Sequence, residues 1–188
     1  MAKTGAKGII WAPYVNAETT TTAAIYGEIV SLAELVTANW TPAMASGEQY
    51  GDNKKVETSE MVTGGTLALE ITDLDASISS QIHGETADED GVSRNAGSED
   101  VAPFGGVAFY KTGVRNSVGY FEGYFYPKCK AAPAADSATT ANSAITFNND
   151  SLSMNVFPLL NSNVYRKVSK RFADEQECIA WCRACFGK

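Results

Sequence analysis

Residues 54–72 read KKVETSEMVTGGTLALEIT, and the fold class turns on how this stretch divides. In its second half Leu67, Leu69 and Ile71 alternate with Ala68, Glu70 and Thr72. A period of two places the aliphatic set on one face of an extended strand and the remainder on the other, one face core and the other wet. Gly64-Gly65 separates this run from residues 54–63. Glycine accepts the positive φ of the tight primed turns. The expectation is a β-hairpin: strand 54–63, a turn at Gly64-Gly65, and strand 66–72.

On the C-terminal side, Asp73 is expected to cap a short helix whose Leu74, Ile78 and Ile82 recur every four residues and which ends at Gly84. Residues 84–103 hold Glu85, Asp88, Glu89, Asp90, Glu99 and Asp100 with little apolar content, and read as a solvated acidic loop. Strands are expected at 104–111 and 119–129, joined by a turn around Gly113-Val114-Arg115-Asn116. An Ala/Ser/Thr-rich connection follows over 130–144. A strand at 145–157, interrupted at Asn148-Asn149-Asp150, and a last strand at 164–172 lead to a helix over 174–186. On the N-terminal side a first strand is expected at 8–15. Residues 16–53 show little periodicity beyond a possible short segment at 25–36. A connection that long is uncommon inside a compact domain and is generally functional or mobile, a first sign that the chain has partners. The pattern predicts a single, mainly-β domain over 1–188: a sandwich or barrel with one flanking short helix and a C-terminal helix.

With 188 residues and 44% hydrophobic content, the chain can bury a core without disulfides or metals. Its 22 Asp+Glu against 15 Lys+Arg give a formal charge of −7. An acidic chain grips phosphate backbones poorly, yet it can surround DNA without adhering to it. No run of about 18 apolar residues occurs, and the opening MAKTGAKGIIWAPYVNA lacks the apolar stretch of a signal peptide. Assembly in a cytoplasm, no membrane partner and cysteines held as thiols are the expectations.

Cys178, Cys182 and Cys185 form C-x3-C-x2-C, a spacing also used for iron–sulfur clusters. In a helix they join Trp181 in one stripe at i, i+3, i+4 and i+7, which favours packing as small hydrophobes. A metal site with Cys129 as fourth ligand, and a bridge between subunits, are the alternatives. Asp174 and Glu177 form a capping-box pattern at that helix's start. His83 is the only histidine, so any His-dependent nucleophile would need it. Beside Gly84 it reads better as a polar residue at a helix end. Asp88-Glu89-Asp90-Gly91 lacks the later ligands of a calcium loop. Nucleophile-elbow, phosphate-loop and dinucleotide motifs are absent from the sequence. No catalytic, cofactor or metal residue is expected, and the chain reads as a non-enzyme.

The run Tyr120-Phe121-Glu122-Gly123-Tyr124-Phe125-Tyr126 has aromatics on both faces. A stacking platform is one reading. Burial on both sides, by fold core and by subunit contact, is the preferred one. Arg166, Lys167, Lys170 and Arg171 read as a solvated strand end or as partners for an acidic neighbour.

Several stretches, taken in order, are similar to the major tail tube proteins of long non-contractile-tailed bacteriophages. They are Tyr50-Gly51-Asp52-Asn53, Gly65-Thr66-Leu67-Ala68-Leu69-Glu70-Ile71 running into Asp73-Leu74, and Ile82-His83-Gly84. Ala102-Pro103-Phe104-Gly105-Gly106-Val107-Ala108-Phe109 and Phe121-Glu122-Gly123-Tyr124-Phe125 complete the set. The Cys-bearing terminal helix is not part of this resemblance. The resemblance implies a β-sandwich whose six copies close into a ring, with rings stacking into a hollow tube in the virion tail. DNA would pass through without specific binding, and the partners would be the tape measure, tail terminator and distal tail proteins. By alternation, Glu57, Glu70 and Glu122 are the candidates for a lumen face, and the connections 16–53 and 84–103 are the candidates for inter-subunit contacts between rings. A tube subunit of a contractile injection or secretion system is the first alternative. A carbohydrate-binding sandwich using Tyr120 and Tyr124 is the second.

Overall fold

The computed structural model describes residues 2–52, 54–87, 94–133 and 149–188. Nine antiparallel strands form one sheet: β1 (Ala2–Asn16), β2 (Ile25–Tyr26), β3 (Val30–Ser31), β4 (Leu35–Gly51), β5 (Lys54–Ile71), and, after a helix α1 (Ala76–His83) and a small bridge of β6 (Thr86–Ala87) with β7 (Arg94–Asn95), β8 (Phe104–Arg115), β9 (Val118–Ala131), β10 (Asp150–Val156) and β11 (Lys167–Phe172). Helix α2 (Glu175–Ala184) closes the chain. The main path through the sheet is β2-β1-β8-β9-β10-β5-β4, with β3 on β1 and β11 on β9.

The β8–β9 hairpin is the centre. Arg115 opposes Val118 across a two-residue turn in which Asn116 and Ser117 both take positive φ, the geometry that matches strand twist. The turn thus lies slightly beyond the stretch expected from sequence, and both strands run longer. Inward, Val107, Phe109, Tyr124 and Tyr126 meet Leu67, Leu69 and Ile71 from β5 and Leu152, Met154 and Val156 from β10 in one buried cluster. The sheet therefore curls so that its β4/β5/β10 end packs toward β1/β8/β9, which buries the aliphatic side of β5. In β1, Gly8 (φ +64) sits in a register shift that resets alternation. Ile9 and Trp11 consequently join this inner cluster while Ile10 and Ala12 turn outward.

Over β1, β8 and β9 the outward face is dry as well. Ile10, Ala12, Ala108, Tyr110, Phe125 and Phe172 are covered by Cys178, Cys182 and Phe186 of the C-terminal segment. Aromatics on both faces of β9 are thus explained within one chain. The second cover is α2 rather than the subunit contact anticipated. Helix α2 starts where Asp174 accepts a hydrogen bond from the Gln176 N–H at 3.1 Å. Helix α1 is capped by Asp75, not Asp73, through the Ser77 N–H at 2.8 Å, and it ends at left-handed Gly84.

Three expectations are corrected. Residues 54–71 form one continuous strand, with no turn at Gly64-Gly65. The supposed connection 16–53 contains β2, β3 and the whole of β4, which pairs with β5 from Leu35↔Ile71 to Gly51↔Lys54. The strand expected at 145–157 begins at Asp150 among the described residues, and that expected at 164–172 begins at Lys167. The carboxylates Asp88, Glu89 and Asp90 and most of the 130–144 connection lie outside the described residues.

Candidate functional site

The feature that stands apart from the body is the distal half of the β4–β5 pair. Strand β10 accompanies β5 only as far as Val156↔Gly65. Beyond that point residues 43–51 and 54–63 continue as a two-stranded ribbon with no third strand on either side among the described residues. At 3.3–3.4 Å per residue, it reaches about 30 Å from the body. Every described side chain in it is exposed except half-buried Val62.

Gly64-Gly65 is the root of the ribbon, and tight packing explains the glycines. A Cβ on Gly64 would stand 2.5 Å from the Val156 carbonyl, and one on Gly65 2.3 Å from the Thr41 carbonyl. Ala43 opposes Gly64 while Met44 opposes Val62, so Thr63 is an extra residue that bends the ladder as it leaves the body. The true reversal lies past Gly51, where Asp52 takes a left-handed φ of 48°. Asp-Asn is a turn pair tolerant of that region, and it was the signal available in the sequence. Gly-Gly is the stronger turn dipeptide and masked it.

Ribbon composition differs from that of a solvated loop. Met44, Tyr50, Val56 and Met61 are 56–68% exposed. Residues 43–63 also carry Glu48, Asp52, Glu57 and Glu60 against Lys54 and Lys55. Lys55 is ion-paired with Glu48, which also accepts from the Tyr50 hydroxyl at 2.7 Å. Glu57 and Glu60 have no cation partner among the described residues.

The three lumen candidates are not brought together. Glu57 is on the exposed ribbon. Glu70 is half-buried on β5, accepting from Asn149 Nδ2 at 2.9 Å and Thr37 Oγ1 at 3.3 Å. Glu122, also half-buried, accepts from the Tyr124 hydroxyl at 2.6 Å and pairs with Arg171 at 3.5 Å. From the Val156–Cys129 pair that links β10 to β9, the ladders place Glu70 in one direction and Glu122 in the other. Alternation gave each residue a face, but it carries no information about which strands adjoin.

Other candidate groups are engaged in packing. Tyr120 and Tyr124 are 8% exposed, so neither offers a ring face to a sugar. Cys178 and Cys182 are on the sheet-facing side of α2, whereas Cys129 belongs to the inner cluster on the opposite side of the sheet. The cause is an extra residue in β9 between Tyr126 and Cys129, which turns Cys129 inward. Pro127 sits in that irregularity, its carbonyl accepting from both the Tyr14 and Tyr26 hydroxyls at 2.8 Å. The sheet therefore separates Cys129 from the α2 thiols, and a four-cysteine metal site is geometrically closed. Burial raises the pKa of all four thiols, Cys178 to about 11 and Cys182 to about 12. His83 is buried, with Nδ1 3.0 Å from the Ser79 carbonyl. A carbonyl only accepts, so Nδ1 carries the proton and is not a base for the nearby Ser79 hydroxyl.

No family model matches the chain, and no curated protein matches it.

Proposed function

We propose that this chain is a structural subunit that assembles with copies of itself into stacked rings, the tail tube of a long-tailed bacteriophage. The observation that carries the reading is the ribbon. Two strands with both edges open are marginal in water by themselves, and exposed open edges invite pairing with another chain. A fold that holds such a ribbon away from its body and sets Met and Tyr on it gains stability only when a partner covers it. A second copy is the partner always present at high concentration, and ring closure pairs edges that a monomer leaves open.

The charge suits a conduit. A ring of six multiplies the formal −7, and a wall of that sign repels DNA, so the genome slides rather than sticks. The tape measure protein inside the tube and the terminator and distal tail proteins at its ends complete the proposed set of partners. Burial of Tyr120 and Tyr124 weighs against a glycan-binding module.

Negative-stain electron microscopy of the purified chain at rising concentration, with mass photometry, tests the proposal. Hollow tubes or six-fold rings are the expected result. A strictly monomeric species at every concentration would remove the self-assembly reading.

A further inference from the structure

We infer that the ribbon of one copy seats on the cationic outer edge of β11 of a second copy. The inference rests on the self-assembly reading and deepens it by naming the surface that receives the ribbon.

The receiving surface is singular in its charge. From residue 151 to residue 173 the chain holds no carboxylate, yet it carries Arg166, Lys167, Lys170 and Arg171. Arg171 is neutralised by Glu122 at 3.5 Å. Arg166, Lys167 and Lys170 are exposed and have no carboxylate partner among the described residues. Their neighbours are aromatic instead: Lys167 Nζ stands 5.9 Å from the Phe125 ring and Lys170 Nζ 5.2 Å from the Phe172 ring, while Arg166 lies 6.0 Å from the Tyr165 ring. Ring faces hold these cations in place without cancelling their charge.

The same strand has an open edge. Among the described residues β11 pairs with β9 on one side and with no other strand, and Val168 is exposed between the two lysines. An edge with unpaired backbone groups, an apolar side chain and uncompensated cations accepts an extended segment that is itself open-edged, apolar and acidic. The ribbon is that segment: Met61 is exposed, and Glu57 and Glu60 have no cation partner among the described residues. Apart from half-buried Val62, the described ribbon side chains of the same copy are exposed, so the ribbon does not occupy its own β11. Nucleic acid is the less suitable occupant, because three cations on a chain of net −7 neutralise few phosphates.

A charge-swap series on the full chain tests this. Lys167→Glu/Lys170→Glu and Glu57→Lys/Glu60→Lys are each expected to raise the concentration at which association begins by about tenfold or more, since attraction becomes repulsion. An equal mixture of the two variants restores association, because every interface again joins opposite charges. Carbodiimide cross-linking of wild-type assemblies followed by mass spectrometry should join Glu57 or Glu60 to Lys167 or Lys170, a measurement independent of how the variants fold. If wild type assembles while both reversals assemble equally well, or the cross-links place the ribbon elsewhere, the seat is wrong and the self-assembly reading survives. If wild type never associates, both fall. If reversal at β11 abolishes binding of a short single-stranded DNA and leaves assembly intact, the edge is a nucleic-acid surface and the inference is overturned.

Discussion

Gly123 shows how narrowly single residues set this packing. A Cβ there would stand 2.6 Å from Trp181 Cε3 and 3.2 Å from Cys182 Sγ. Helix α2 lies on β9 because that position is bare. Gly123→Ala is expected to cost about 1–3 kcal/mol by overpacking, read as a lower urea midpoint together with an altered near-ultraviolet signal from Trp181. The thiols beneath α2 make a second prediction. Their folded pKa values lie above the ordinary thiol value, so the unfolded chain releases protons that the folded chain retains. The stabilisation is complete below about pH 8.5 and is lost as pH rises toward the folded values. Urea midpoints should fall between about pH 8 and about pH 10.5, and Cys178→Ala/Cys182→Ala should flatten that fall relative to wild type. An equal slope in both proteins would show that other groups carry the alkaline loss. The stripe of cysteines was legible from their spacing; the bare spot that receives it was not, because Gly123 and Trp181 are distant in sequence.

Among the elements, the ribbon and α2 make opposite demands. The ribbon has no core, so its amides at 44–51 and 54–62 should exchange with solvent far faster than those of β8 and β9 in the dilute protein. They should become protected at concentrations where the chain associates. Replacing residues 44–62 with an Asn-Gly turn should leave the thermal midpoint of the body within a few degrees of wild type and abolish association in sedimentation velocity. A deleted-ribbon protein that still forms rings would transfer the assembly role to another edge. Helix α2 instead completes the body, since it covers Phe125, Ala108 and Tyr110. Truncation after Phe172 should therefore yield insoluble or unfolded chains, whereas loss of the ribbon should not.

At the scale of the whole molecule, charge is unevenly distributed. The net −7 coexists with a carboxylate-free stretch from 151 to 173 bearing four cations. Association driven partly by these opposed surfaces should weaken as salt rises from about 0.05 M to about 0.5 M, because the screening length falls below the spacing of exposed charges. Light scattering against salt concentration reads this directly. A rise in association with salt would assign assembly to apolar contact alone.

The sequence by itself determined the mainly-β class, the two faces of residues 66–72 and 120–126 and the two helices, since these follow from periods of two and 3.6 residues in a short window. The aliphatic alternation of Leu67, Leu69 and Ile71, the helical stripe of Cys178 and Cys182 and the stop at Gly84 are local patterns of this kind. Only the tertiary structure decided which strand lies beside which. Gly64-Gly65 reads as a turn until Val156 and Thr41 are seen crowding it, and β4 is unreadable until its ladder with β5 supplies the partner. The same holds for Glu70 and Glu122, whose alternation is alike but which lie in opposite directions along the ladders from the junction of β9 and β10. Strand pairing is a long-range choice made by the whole core at once, and a window of residues does not contain it.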